Sequence, residues 1–95
     1  MIARLTSFKI KPDQVATVTG QLDNIKAALS QVDTMVLNYA MWTDDGEGRT
    51  LAVYRTMEDA DEALKTAGKV WENLAPFLEG PVEMQTFENA ADMRG

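Results

Sequence analysis

The chain has 95 residues, contains neither cysteine nor histidine, and carries a formal net charge of −6 at pH 7. This length fits one domain, which we predict to span residues 1–95. The acidic balance argues against nucleic acid or an anionic membrane surface as a partner. Cysteine and histidine are the usual protein ligands of zinc and haem iron. Because the chain has neither, we expect no metal and no haem cofactor.

We expect neither a targeting signal nor a membrane span in this sequence. Its first segment, MIARLTSFKIKPDQ, alternates polar and apolar residues and lacks the continuous apolar stretch of a signal peptide. No apolar segment approaches the length of a membrane span. We therefore expect a cytoplasmic protein, which the absence of cysteine also fits.

The first third of the chain predicts a strand followed by a helix. Residues 2–10 alternate and include β-branched and aromatic side chains, as strands do. Pro12 suits the first position of a helix, and the apolar stripe of that helix comprises Val15, Val18, Leu22, Ile25, Leu29 and Val32. Lys26 lies off the stripe. Gly20 lies inside the helix, either as a tolerated surface glycine or because another backbone approaches there.

The next two segments predict a β-hairpin. Residues 34–43 and 50–56 are apolar on both faces, and the acidic loop 44–49 between them contains two glycines. One face carries Leu37, Tyr39, Met41, Leu51 and Val53, and the other carries Asn38, Ala40, Trp42, Ala52 and Tyr54. The loop lacks the ligand spacing of a calcium-binding loop, so we expect an exposed turn.

A second helix and a fourth strand complete the predicted order. Thr56 begins the helix with a sequence like a capping box, and the apolar stripe comprises Ala60, Leu64, Ala67, Trp71 and Leu74. We expect a bend or break at Ala67–Gly68 and the end of the helix near Pro76. Residues 82–88 form the last strand, and residues 89–95 form a polar tail.

The order βαββαβ predicts an α+β, ferredoxin-like fold with a four-stranded antiparallel sheet and two helices on one face. Two helices cover only one face, and the other face is also apolar. Because soluble monomers rarely expose such a patch, we expect a homodimer in which two sheets pack face to face. Trp42 or Tyr54 would lie in or beside that interface.

Three segments, FKIKPDQ, LNYAMWTDDGEGRTLAVYRTMEDADEAL and NLAPFLEGPVEM, resemble the antibiotic biosynthesis monooxygenase-like (ABM) domains of the dimeric α/β-barrel superfamily. The resemblance implies a cofactor-independent monooxygenase whose acidic aromatic substrate supplies the electrons to dioxygen, in a pocket between sheet and helices. The family often has an acidic residue where this chain has Arg55, and histidine where it reads KTAGKVWEN. Haem-degrading relatives use an Asn, a Trp and a His, and Leu5 stands at the position of that Asn, so we do not expect haem degradation.

Six residues are candidates for the predicted pocket. Asn38 interrupts an apolar strand and could orient a substrate oxygen, and Arg55 could stabilise an anion, so we interpret both as catalytic candidates. The predicted substrate-binding residues are Trp71, Tyr39, Tyr54 and Leu64. Each candidate also has a structural interpretation, as core, interface, hydrogen-bond or ion-pair residue.

Two functions stay open at this point. The first is oxidation of a small phenolic or quinol-like molecule without metal or flavin. The second is a non-catalytic or regulatory dimer that binds a small apolar or aromatic ligand. The missing histidine favours the second function. Without an imidazole base, oxidation would require either a substrate that ionises by itself or a carboxylate with a raised pKa.

Overall fold

The computed structural model describes residues 1–94, and its elements follow the predicted order. The strands are β1 (Ile2–Lys9), β2 (Met35–Trp42), β3 (Glu47–Tyr54) and β4 (Glu83–Phe87). The helices are α1 (Val15–Thr19), α2 (Leu22–Leu29) and α3 (Met57–Leu74), and 3₁₀ turns lie at Pro12–Gln14 and Ala75–Phe77. The sheet order is β2-β3-β1-β4 with every neighbouring pair antiparallel. The predicted α+β, ferredoxin-like fold is confirmed.

The register of the strands sorts side chains into a helix face and an open face, since directly paired residues point the same way. In β1, Phe8 belongs to the buried core beneath the helices and Arg4 donates hydrogen bonds to α3, so its even-numbered residues face the helices. The odd-numbered residues of β1 face away, together with their partners on β3 and β4. We call this second surface the open face; its apolar residues are Ala3, Leu5, Leu37, Tyr39, Met41, Leu51, Val53 and Phe87.

This register corrects the expected position of Trp42 and Tyr54. Both lie on the helix face, where Tyr54 is 4% exposed and packs against Ala60 and Ala63 of α3. Trp42 packs against the core at the other end of the sheet. Neither residue therefore belongs to the open face, which carries Tyr39 in their place.

The predicted first helix is two helices. Helix α1 ends at Thr19 and α2 begins at Leu22, with a turn at Gly20–Gln21 between them. A glycine inside a helix costs about 1 kcal/mol relative to alanine, so Gly20 is the weakest point of the predicted helix. A Cβ at Gly20 would meet only carbonyl oxygens of its own helix, Thr17 and Ala16, so no other backbone approaches it.

The hairpin loop is shorter than predicted, because β3 begins at Glu47 rather than at Thr50. Pairing of Lys9 with Glu47 and of Phe8 with Gly48 extends the strand into the predicted loop. The turn contains Gly46 at a φ of 100°, where side chains are strained. The Thr43 hydroxyl donates a hydrogen bond to the Asp45 carboxylate, which with the charge of Lys9 lowers the pKa of Asp45.

Helix α3 is continuous, so the helix does not break at Ala67–Gly68. The Thr56 hydroxyl accepts a hydrogen bond from the backbone N–H of Asp59 at 3.1 Å, so the predicted start of the helix is confirmed. Its inward surface uses Ala63 rather than Leu64, which is 37% exposed. Tyr54 packs directly against this part of α3, and only a small side chain fits between the ring and the helix.

The C-terminal segment after β4 has neither helix nor strand over residues 89–94, and Gly95 of the predicted polar tail lies outside the described residues. The backbone N–H of Ala90 donates to the Met1 carbonyl at 2.9 Å, which ties the start of the tail to β1. No helix within residues 1–94 is long and apolar enough to cross a membrane.

Candidate functional site

A cavity of about 370 Å³ lies between the helix face of the sheet and helices α2 and α3. It forms because the helices do not close over β2. Asn38 and Ala40 of β2 point towards the helices, yet both remain exposed. The cavity is therefore partly open to solvent along β2, and its volume falls within the range of small-molecule sites.

The walls of the cavity are mainly apolar and aromatic. Both tryptophans of the chain, Trp42 and Trp71, line it. The ring of Trp71 lies 5.4 Å from that of Phe8, with the planes tilted by 49°, which fixes the indole at the end nearer the core. Aliphatic side chains of α1, α2 and α3 complete the walls, namely Val18, Leu22, Ile25, Leu29, Val70 and Leu74. Such walls suit a flat apolar molecule.

Three polar side chains of the sheet reach the cavity floor: Asn38 from β2, and Thr50 and Tyr54 from β3. Asn38 pairs with Ala52, and Tyr54 lies two residues further along the same strand, so the amide and the phenol lie on adjacent strands. Within residues 1–94 none of the three side chains makes a hydrogen bond to another group. Their hydrogen-bonding capacity is therefore free for a molecule in the cavity.

Tyr54 is the most buried of these polar residues. Burial raises the pKa of its phenol, and the nearby positive charge of Arg4 opposes that rise. The group is therefore a neutral O–H across the physiological pH range, able to donate a hydrogen bond to an oxygen in the cavity.

Arg4 is a buried cation on the far side of Tyr54, and the sequence analysis did not identify it. Its guanidinium donates to the Ala60 carbonyl at 2.6 Å, to the Asp61 carboxylate at 2.7 Å and to the Thr86 hydroxyl at 3.2 Å. These bonds tie β1 to α3 and β4. The sequence signal was a cation at an even-numbered position of β1, on the same side of the strand as Phe8, where a buried charge needs a partner.

Among residues 1–94, Lys26 is the only charged residue that lines the cavity, and the prediction did not include it in the site. The sequence analysis placed it off the apolar stripe of its helix. In α2 it lies beside Ile25 and one turn beyond Leu22, which both line the same cavity. Because α2 begins only at Leu22, the apolar stripe of α1 does not determine which side of α2 faces the sheet.

The structure brings together four of the six sequence-predicted residues. Asn38, Tyr39, Tyr54 and Trp71 line the cavity. Tyr39 contributes only at the edge, since it belongs to the open face and is 64% exposed.

The other two predicted residues, Arg55 and Leu64, lie outside the lining. Arg55 is exposed, follows the end of β3 and forms no ion pair with residues 1–94. Leu64 lies on the outward side of α3, because Ala63 takes the inward position. The chain alone therefore brings neither side chain to the cavity.

The described part of the chain contains no group of three or more Asp, Glu, His or Cys side chains that could hold a metal ion. The polar groups of the acidic hairpin turn instead form hydrogen bonds with side chains of this chain. Asp45 accepts from Thr43, and the Asp45 carbonyl accepts from the Lys9 ammonium at 2.8 Å.

Comparison with solved structures identifies the fold. The chain superimposes on Rv0793 from Mycobacterium tuberculosis with a TM-score of 0.77 and 18% identity, covering 97% of each chain. A structure described as an antibiotic biosynthesis monooxygenase gives a TM-score of 0.79 at 9% identity, covering 96% of this chain and 100% of that one.

A third solved structure is a variant of SnoaB, a cofactor-independent oxygenase from Streptomyces nogalater. It gives a TM-score of 0.73 at 14% identity, covering 99% of this chain and 97% of that one. The chain has the ABM fold. At these identities the likeness concerns the fold, and it confirms the resemblance at that level. No protein-family model and no curated protein sequence matches the chain.

Proposed function

We propose that this ABM-fold chain is a cofactor-independent monooxygenase that oxidises a small phenolic or quinol-like molecule in the cavity. The observation that carries the proposal is the cavity itself. Its volume of about 370 Å³, its two tryptophans and its unpaired polar side chains suit one small aromatic molecule with oxygen substituents. The fold that the chain shares with a cofactor-independent oxygenase supports the reaction class.

The proposed reaction needs an ionised substrate. For an anthrone-like compound, the ring CH₂ becomes C=O, one atom of dioxygen enters the product and the other leaves as water. The substrate supplies all four electrons, so the overall step balances without a further reductant. Residues 1–94 place no carboxylate and no imidazole in the lining, so the substrate's own acidity supplies the anion, with solvent at the open side receiving the proton.

The protein's part in this proposal is to hold and stabilise the anion. The Tyr54 hydroxyl donates to the substrate oxyanion, and its raised pKa keeps it protonated while it does so. The Asn38 amide holds the same oxygen or a neighbouring one. Trp42 and Trp71 offer aromatic surface in the lining against which the substrate rings pack.

Oxygen uptake with a panel of hydroquinones and anthrone-like compounds tests this proposal, with autoxidation in buffer subtracted. We expect Tyr54→Phe and Asn38→Ala each to lower the rate constant by about 10-fold to 10²-fold, because each removes a preorganised donor. Asn73→Ala is the matched control, since Asn73 is an exposed amide of α3 outside the cavity. If all three variants match the parent chain, the assignment of the donors is wrong.

The absence of a carboxylate and of an imidazole among the described lining residues also favours a second function, binding without catalysis. In that case the cavity would hold a small aromatic ligand, and none of the panel would react faster than in buffer. The fluorescence of the two cavity tryptophans, followed while a ligand is added, distinguishes binding without catalysis from a cavity that binds nothing.

We also propose that the chain is a homodimer through the open face. Tyr39 is 64%, Met41 48% and Phe87 40% exposed there, which is unusual for large apolar side chains on one sheet surface. Since all helices lie on the opposite side, an identical open face of a second copy is the simplest cover.

A further inference from the structure

We propose that the ligand of this cavity is an aromatic monoanion whose negative charge is held by the Lys26 ammonium. The inference rests on the proposed function and narrows its substrate to molecules that carry one anionic substituent, such as a carboxylate, in addition to the neutral oxygen that ionises at the sheet during the reaction. Lys26 is then a specificity-determining residue of the site.

The charge distribution supports an anionic ligand. Lys26 is the single charged residue that lines the cavity, in a chain whose net charge is −6. Within residues 1–94 no carboxylate oxygen lies within 4.0 Å of its ammonium, and the ammonium donates no hydrogen bond. Other lysines near acidic side chains do form such pairs, Lys9 with Glu47 and Lys65 with Glu62. Lys26 therefore presents an uncompensated positive charge beside an apolar cavity.

The position of Lys26 fits a ligand that spans the cavity. On α2 it follows Ile25 directly and precedes Leu29 by one turn, and it is exposed, so the residue lies between the aliphatic wall and solvent. The neutral polar groups Asn38 and Tyr54 lie on the opposite side, on the sheet. A planar molecule between them would place an uncharged or acidic oxygen on the floor and its anionic group at the helix.

The number of charges limits the class of anion. One ammonium compensates one negative charge, whereas a phosphate dianion is usually held by several donors or by an arginine fork. No second cation lines the cavity. The fit is thus to a monoanion on an aromatic body rather than to a nucleotide or a phosphosugar.

A pair of fluorescent probes isolates the contribution of charge. Anilinonaphthalene sulfonate and neutral N-phenylnaphthylamine share one aromatic framework and differ by the sulfonate group. Titration of each into the intact chain, followed by quenching of Trp42 and Trp71, gives two dissociation constants. Ala67→Phe adds a ring to the cavity lining and should strongly weaken the binding of both probes. That loss would show that the probes bind in the cavity.

Lys26→Met should raise the dissociation constant of the sulfonate probe about fivefold, as expected for loss of a partly exposed ion pair. The dissociation constant of the neutral probe should change by less than a factor of about two. Lys26→Arg should restore most of the affinity. Lys69→Met removes the same charge from an exposed position of α3 outside the cavity and should change neither probe.

The remaining outcomes contradict the inference in distinguishable ways. If the neutral probe binds but Lys26→Met and Lys69→Met affect the sulfonate probe equally, the cavity is a ligand site without charge selection, and the proposed function stands alone. If neither probe binds, or if Ala67→Phe weakens neither, the cavity is not a ligand site and the proposed function falls with the inference.

Discussion

At the residue scale, Tyr54 joins the fold to the proposed chemistry. Its ring packs under Ala60 and Ala63 of α3, while its hydroxyl lines the cavity without a partner among the described residues. The same burial that fixes the ring raises the pKa of the phenol. A fixed, neutral donor is what a developing oxyanion requires.

The raised pKa of Tyr54 predicts a specific alkaline behaviour. Because the folded state favours the neutral phenol, this residue contributes stability below the ordinary pKa of 10.0. That contribution is lost as the pH rises through 10.0 towards the folded value. Ultraviolet titration of the parent chain minus Tyr54→Phe isolates this phenol, and its midpoint should lie above 10.0. A midpoint at or below that value would contradict the described burial.

At the element scale, two glycines differ in the space around them. A Cβ at Gly48 would lie 2.1 Å from the ring of Phe8, its partner on β1, whereas a Cβ at Gly68 on α3 would meet nothing within 4 Å. Phe8 belongs to the core and also contacts Trp71 of the cavity wall. Gly48 thus leaves the space in which that ring lies.

This contrast predicts opposite effects of the same substitution. Gly48→Ala should lower the free energy of unfolding by about 1–3 kcal/mol, because Phe8 must move off its site. Gly68→Ala should raise it by about 0.5–1 kcal/mol, since alanine is the better helix former and no clash follows. Urea denaturation of both variants measures the difference. Equal effects would show that Phe8 has room to move.

Some of the helices and strands could be predicted from the sequence, and some of their details could not. Alternation and turn residues are local properties, so the four strands, the hairpin and the capped start of α3 followed from the sequence. The break at Gly20 and the continuity at Gly68 did not follow from the glycine itself, since a Cβ at either position would meet no distant part of the chain. The inward choice of Ala63 over Leu64 depended on the ring of Tyr54, which is distant along the chain.

The site was predicted only in part for the same reason. Asn38, Tyr54 and Trp71 stand out as polar or aromatic residues in apolar patterns, and the cavity includes them. Lys26 was predicted off the apolar stripe and is exposed, yet it lies one turn beyond Leu22 on α2 and so reaches the cavity. Arg55 was chosen for its charge, and its position past the end of β3 lies away from the lining.

At the scale of the whole molecule, the one-sided arrangement of helices predicts association. Leu51→Asp places a charge at the centre of the open face, opposite Leu5 on the neighbouring strand, and should convert a dimer into monomer or aggregate. Leu64→Asp, on the outward side of α3, is the matched control and should leave the mass unchanged. Sedimentation at micromolar concentration distinguishes the two. A parent chain that sediments as a stable monomer would overturn the proposed dimer.

The central claim is that this cavity promotes transfer of one oxygen atom from dioxygen to an aromatic substrate. The most direct measurement is turnover of an anthrone-like compound under isotopically labelled dioxygen in ordinary water, with mass spectrometry of the product. The account predicts one labelled oxygen per product molecule, at a rate above the buffer reaction that falls in Tyr54→Phe. Turnover no faster than in buffer, or product oxygen derived from water, would contradict it.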